Sequence, residues 1–419
     1  MAKKKTGGKA AFTFSEIGDL MQDISKNIPI VIADDNEEKN KKFLDTGIYI
    51  LNAALSGTIF GGVQSNRITT LAGDSGVGKS FVCYGIIKQA QKDGWNTLYI
   101  DTEFSIERSQ LPNYGIDISP DKFMLLRTNI VEDIIKVLTQ TLEKLKAAKK
   151  EGKEIPPTMI FLDSVGMLAS RKESEDAKDG KETVDMTRAK KLASLFRIVS
   201  GDLGYLGIPL ICTNHVYDEM SMFPKKIMKG GQGLYYSSSV VSFLSKAKLK
   251  TGDEDDMDLG SSGIKVTFKT EKNRLAKPKK VKFDISFVEG CNPFKGLEAF
   301  CRPEFFEEVG IAKGKWEEYS TPIEIVDEKT GEVTTKYGEF KPGGTRYYVR
   351  HLGKSMFEKQ LHTPQVFTHE VLEKLDMFIQ QYFKYKSLDE IDTFQSQYED
   401  ADSDDDIDID DINPEDLFS

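Results

Sequence analysis

Between about residue 47 and residue 300 one pattern recurs: a short run of β-branched and apolar residues, a polar turn, then apolar residues at helical spacing. "RITTLAG" predicts a buried strand ending at Gly73. "SFVCYGIIKQAQKDG" has helical periodicity with Gly94 as its stop, and "NTLYID" reads as the next strand. Val131, Ile134, Ile135, Leu138, Leu142 and Leu145 share one face of a predicted helix. "TMIFLD" predicts another buried strand, "MTRAKKLASLFRIVSGDLGYLG" a helix and "IPLICTNH" a strand. This alternation implies an α/β fold with a mostly parallel central sheet. Three strands end in polar residues: Asp101 with Glu103, Asp163, and Asn214 with His215. Open parallel sheets bind ligands at that edge. Beyond Gly230, "VVSFLSKAKL", "GIKVTFKTEKNR" and "KVKFDISFV" predict strands that close the sheet.

The flanking segments read differently. Ile17, Leu20, Met21 and Ile24 have helical spacing, and a polar stretch follows them. Residues 1–46 are therefore expected to be an N-terminal helix and linker suited to docking on a neighbouring subunit, and 47–300 the core. Residues 301–386 are expected to form a small α+β module with a hairpin about Thr330 and Gly331 and a helix in "HEVLEKLDMFIQQYFKYK".

Composition narrows the classes. A chain of 419 residues with 39% hydrophobic content can bury a sizeable core. Cysteines 83, 212, 291 and 301 show neither the spacing of a zinc site nor the density of a disulfide scaffold, and read as reduced thiols. No run of 18 apolar residues occurs, and none follows the basic start, so a cytoplasmic protein without membrane partners is expected. The net charge is −10, yet residues 387–419 carry 14 Asp or Glu and no Lys or Arg. Removing those 14 charges leaves the preceding 386 residues at +4. The tail has too few apolar residues to pack and is expected to be disordered.

"LAGDSGVGKSFVC" carries the sharpest chemical signal. Gly73, four residues, then Gly78, Lys79 and Ser80 match the G-x-x-x-x-G-K-[ST] phosphate loop, set between a predicted strand and a predicted helix. Gly73, Asp74, Ser75, Gly76, Val77, Gly78, Lys79, Ser80 and Phe81 would cradle a nucleotide. Lys79 would reach the β- and γ-phosphates and Ser80 a magnesium ion, with Asp163 as the second magnesium-side carboxylate. Glu103 could polarise an attacking water, in competition with Asp101 and Glu107. His215 closes a strand beside the expected γ-phosphate, where it either reports phosphate occupancy to the following loop or is simply structural. That loop interleaves Met222 and Phe223 with Lys225, Lys226 and Lys229 before Gly230 and Gly231, a composition suited to a nucleic-acid backbone and its bases. A second polar loop follows Asp163 and ends in the basic residues Arg188, Lys190 and Lys191.

The ordered set "GDSGVGKS", "YIDTE", "MIFLDSVGML", "PLICTNHVYDEMSMFPKKIMKGGQGLYYSSSVV" and "TEKNRLAKPKKVKF" resembles the RecA/Rad51 recombinases, nearest their T4-type phage branch, over roughly residues 40–300. The resemblance implies a helical filament of protomers on single-stranded DNA, with ATP and Mg2+ between neighbours, that pairs the strand with homologous duplex. A recombination mediator and a single-strand-binding protein are the further partners it implies. It assigns water activation to Glu103 and places His215 where cellular RecA has its γ-phosphate-sensing glutamine. Segments 170–190 and 216–229 match the first and second DNA-binding loops. Lys272 and Arg274 correspond to the paired basic residues that reach the neighbour's γ-phosphate. A ring helicase of the same fold and a non-catalytic ATP-binding scaffold are the alternatives.

An acidic tail on a mildly basic body can compete with nucleic acid. Removing residues 387–419 is expected to strengthen DNA binding, checked by titrating labelled single strands at several salt concentrations; unchanged affinity at all of them would dismiss the competition.

Overall fold

The computed structural model describes residues 42–180, 187–219, 226–248, 263–326 and 333–385. The chain divides between Lys42 and Phe43 into two units, and the second is described here. The expected N-terminal helix, the turn at Thr330 and Gly331, and the acidic tail lie outside the described residues.

In chain order the elements that frame the molecule are α1 (Tyr49–Ser56), β1 (Ile68–Gly73), α2 (Lys79–Lys92), β2 (Asn96–Asp101), β3 (Phe123–Arg127), α3 (Val131–Lys150), β4 (Thr158–Asp163), α4 (Arg171–Lys178), α5 (Thr187–Leu206) and β5 (Leu210–Asn214). There follow β6 (Val216–Asp218), β7 (Lys226–Met228), α6 (Gly233–Ser237), β8 (Val240–Lys248), β9 (Gly263–Asn273), β10 (Lys280–Ser286), β11 (Ile311–Val326), β12 (Val333–Val349), β13 (Lys354–Met356) and α7 (His369–Phe383). The eight-stranded central sheet runs in the order β10-β9-β8-β1-β5-β4-β2-β3. Its pairings are parallel from β8 to β3, while β9 and β10 are antiparallel additions at one edge.

The unbroken apolar runs of the central strands are explained by burial on both faces. Along β4, Met159 and Phe161 enter one core while Ile160 and Leu162 enter the other. The second core is covered by α3, through Val131, Ile134, Leu138 and Leu142, and by α5, through Leu192, Leu195, Phe196, Val199 and Leu203. The first is covered by α1 and α2, and it continues without a break past residue 301, taking in Val309, Ile311, Tyr347, Val349, Leu375 and Ile379. β11, β12 and β13 form a separate antiparallel sheet.

A buried carboxylate, Asp376, and a mostly buried one, Glu298, fasten these C-terminal segments. Asp376 of α7 accepts hydrogen bonds from Thr58 Oγ1 (2.7 Å), Ile59 N (2.8 Å) and its own helix's Gln380 (2.6 Å). Glu298 lies 3.0 Å from His362 Nε2 and 3.4 Å from Lys295 Nζ, and accepts the Gly296 N–H at 2.7 Å. Burial alone would raise the Glu298 carboxyl, but His362, backbone N–H and Lys295 outweigh it and hold it at about 2.

A carboxyl depressed from 4.5 to about 2 contributes stability above pH 4.5 that is lost as pH falls through 2. The contribution is on the order of 3 kcal/mol. Thermal melts between pH 7 and pH 2 are expected to show an acid limb that Glu298→Gln flattens, with Glu298→Gln the less stable of the two at pH 7.

Candidate nucleotide and nucleic-acid site

The phosphate loop is formed where β1 delivers its backbone to the N-terminus of α2. Gly73 lies so close to β8 that a Cβ would sit 2.7 Å from the Leu244 carbonyl oxygen. Gly78, at φ +92°, adopts a conformation costly for any other residue, and a Cβ there would also meet Ile285 at 2.6 Å. Lys79 opens α2 and is nearly buried; its ammonium donates to Gly73 O (2.9 Å) and Asp74 O (2.8 Å). Burial lowers its pKa, while Asp163, Glu103 and Asp74 pull the other way. A cation folded back onto loop carbonyls at a helix N-terminus is poised for phosphate.

Register sets the acidic side of the site. Asp163 ends β4 directly beside Asp101 of β2. Its carboxylate is only 6% exposed and collects three hydroxyls: Ser80 Oγ (3.0 Å) and Tyr99 OH (2.6 Å) on one oxygen, Thr213 Oγ1 on the other. The Ser80 hydroxyl facing the Asp163 carboxylate is a set of hard oxygen donors that fits magnesium. Asp101, 1% exposed, is spent on architecture: it accepts the backbone N–H groups of Glu103, Ser105 and Ile106 at 3.2–3.3 Å and faces Arg127 at 3.6 Å. The turn so held presents Glu103, whose Oε1 accepts from Ser164 Oγ at 2.7 Å and lies 2.7 Å from His215 Nε2. Burial would raise the Glu103 carboxyl; Ser164, His215 and Lys79 lower it on balance, so it is ionised at neutral pH.

His215 also begins the second loop. Its carbonyl accepts Lys229 N (2.9 Å), and Asn214 Nδ2 donates to Lys229 O (2.8 Å), closing a stem in which β6 pairs antiparallel with β7. Lys226 on that stem lies 3.2 Å from Asp74 of the phosphate loop and 3.1 Å from Asp218 across the ladder. Gly230 and Gly231, both at positive φ, follow the stem, while Met222, Phe223 and Lys225 lie outside the described residues.

The other polar loop departs from expectation. Its first part is α4, begun by a capping box between Ser170 and Glu173, with no buried residue. The S-x-x-E spacing was legible as a helix start. Arg188 lies 3.8 Å from Glu173, Lys191 is 2.5 Å from Glu132, and Lys190 is exposed.

Lys272 and Arg274 stand apart from this cluster. Val240, which opens β8, pairs with Asn273 on one side and Thr69 on the other, whereas Gly73 lies beside Leu244. The basic pair is thus displaced from the chain's own phosphate loop by four residues, about 13 Å along the strands. Lys272 donates to the carbonyls of Tyr235 (2.8 Å) and Tyr236 (3.0 Å). Burial and the adjacent Arg274 charge lower its pKa.

Several contributors had no sequence signal. Tyr99, Thr213 and Ser164 serve the carboxylates, and Lys246 of β8 lies so near Gly76 that a Cβ there would be 3.0 Å from its ammonium. Beside the first turns of α2 opens a cleft of about 690 Å³ lined by Phe81, Tyr84, Tyr114, Phe287 and Cys291 among others. Tyr114 packs edge-on to Phe81 and tilted against Tyr84, while Phe287 is 65% exposed. An aromatic-lined cleft beside the helix that follows the phosphate loop suits a flat ring.

Comparison with known proteins agrees with this arrangement. The family described as RecA N-terminal domain matches residues 16–292. The "Recombination and repair protein" of Enterobacteria phage T4 is 33% identical over 296 residues, 70% of each chain. "Protein RecA" of Nautilia profundicola is 24% identical over 320 residues, 74% of this chain and 78% of its own length. "Protein RecA" of Mesomycoplasma hyopneumoniae is 26% identical over 298 residues, 70% of this chain and 80% of its own. With its strand-ended phosphate loop, paired carboxylates and antiparallel sheet edge, the chain belongs to the RecA family.

Proposed function

We propose that this protein is a DNA-dependent ATPase that forms a helical filament on single-stranded DNA and carries out homologous pairing and strand exchange in recombination and repair. The observation that carries the reading is the Glu103–His215 contact, which joins a carboxylate beside the phosphate loop to the stem of the basic loop. Gly73 to Phe81 hold the nucleotide, whose base fits the aromatic cleft, and Lys79 meets its terminal phosphates. Ser80 and Asp163 hold magnesium, whose charge offsets that of the phosphates. Glu103 orients and deprotonates water once His215 turns towards the γ-phosphate, and the same turn shifts the loop bearing Lys225, Lys226 and Lys229. Arg188 and Lys190 add phosphate contacts from the first loop.

Lys272 and Arg274 complete the site of the next protomer, a reading supported by their distance from the chain's own phosphate loop. There they stabilise charge on the transferring phosphoryl group. The N-terminal segment docks the neighbour, and residues 301–386 brace the core edge. A mediator and a single-strand-binding protein are the expected partners, in the cytoplasm where the DNA is.

Hydrolysis measured with and without single-stranded DNA, with filaments imaged from the same mixtures, tests the reading. Wild type is expected to be DNA-stimulated and filamentous; closed rings would favour a helicase, and unstimulated hydrolysis a scaffold. Glu103→Gln is expected to lower kcat by about 10²-fold or more while ATP-supported DNA binding persists. Arg274→Ala and Lys79→Ala are each expected to be inactive, and mixing them to restore part of the hydrolysis; mixtures that stay inactive would count against completion in trans.

A further inference from the structure

The Lys226 ammonium joins the phosphate loop to the stem of the second loop through side chains that the Glu103–His215 contact does not use. It is held by Asp74, within the phosphate loop, and by Asp218, its directly opposed partner on the β6–β7 ladder. Both contacts raise its pKa, so the lysine stays charged. All three side chains are about half exposed, which makes the pairs weak and breakable. A DNA phosphate approaching this stem must therefore compete with two carboxylates, and one of them moves with the nucleotide loop.

We propose that Asp74 and Asp218 mask Lys226, and that ATP unmasks it for the DNA backbone by displacing the Asp74 carboxylate. The driving force is like-charge repulsion. A polyphosphate entering the loop brings negative charge against Asp74, whose side chain is 55% exposed and free to swing into solvent. At the same time the Lys79 ammonium, which now holds the Asp74 carbonyl, is drawn to the phosphates and frees the loop backbone. Lys226 then keeps only Asp218, a partner a phosphate can outcompete. This route runs beside the Glu103–His215 contact and shares no side chain with it. By reciprocity, DNA that captures Lys226 leaves Asp74 unpaired.

The inference rests on the reading of the second loop as a DNA contact, and the test separates the two. Full-length wild type, Asp74→Asn, Asp218→Asn, Lys226→Gln and both Asn variants combined with Lys226→Gln are titrated against labelled oligothymidylate, without nucleotide and with a non-hydrolysable ATP analogue, at several salt concentrations. Without nucleotide, Asp74→Asn and Asp218→Asn are each expected to tighten binding about two- to fivefold. They are also expected to steepen the salt dependence by somewhat under one ion. The gain conferred by the analogue is expected to shrink in Asp74→Asn, and both effects to vanish in the Lys226→Gln background. Unchanged or weaker binding by both Asn variants overturns the proposal, as does equal tightening with Lys226→Gln, which would mark a general charge effect. Because Asp218 lies outside the phosphate loop, its variant reads the mask without altering a residue of that loop. A wild type that binds no oligothymidylate under any condition overturns the functional reading as well; a wild type that binds while Lys226→Gln matches it in affinity and salt slope overturns only the masking.

Discussion

A carboxylate taken out of water must find compensation within the protein, and that requirement at Asp163 organises the carboxyl-terminal edge of the sheet. The hydroxyls that meet it come from α2, β2 and β5, so satisfying one charge locks three elements to the end of β4. The arrangement also fixes Ser80, and with it the first turn of the helix that follows the phosphate loop. Neighbouring Asp101 solves the same problem differently, by accepting backbone N–H groups, and thereby shapes the turn that presents Glu103. Two adjacent carboxylates at one register level thus do unlike work: the first gathers hydroxyls from three elements, the second is sealed into the turn.

Much of this was legible in one dimension because the physics is local. Strands buried on both faces must be apolar throughout, so "RITTLAG", "TMIFLD" and "IPLICTNH" stand out, and the polar residues that end them mark the edge where ligands bind. What sequence spacing could not decide was which of Asp101, Glu103 and Glu107 stands against His215. That choice depends on backbone donors that converge only when the turn closes. The partners of Asp163, the aromatic cleft and the contact of Lys226 with Asp74 were likewise hidden, since each joins positions tens to hundreds of residues apart. The helix α4 carries no such signal for a different reason: a polar segment can be helical through its cap and surface contacts, here Arg171 to Glu132 and Asp133, without a face to bury.

The C-terminal segments extend the first core and reach the strand end that bears the basic pair. Asn273 lies between Lys272 and Arg274, and its Nδ2 donates to Ala54 O and Leu55 O while its carbonyl accepts from Tyr385 OH at 3.0 Å. Lys277 N bonds to Phe383 O, at the end of α7. The basic pair is thus mounted on backbone gripped from α1 and from α7, so its direction is set by the body of the molecule and not by a free loop.

That mounting gives the chain a polarity. One end of the sheet offers a phosphate loop and the other offers two cations, so copies joined through these surfaces, as the proposed filament requires, would stack head-to-tail without closing into a symmetric pair. In such an array the two terminal protomers are chemically unlike: one exposes a nucleotide pocket without its cationic cap, the other a cationic cap with no phosphate to meet. Growth and loss at the two ends would then proceed at different rates, and a strand coated by this protein would acquire a direction that its sugar-phosphate backbone shares.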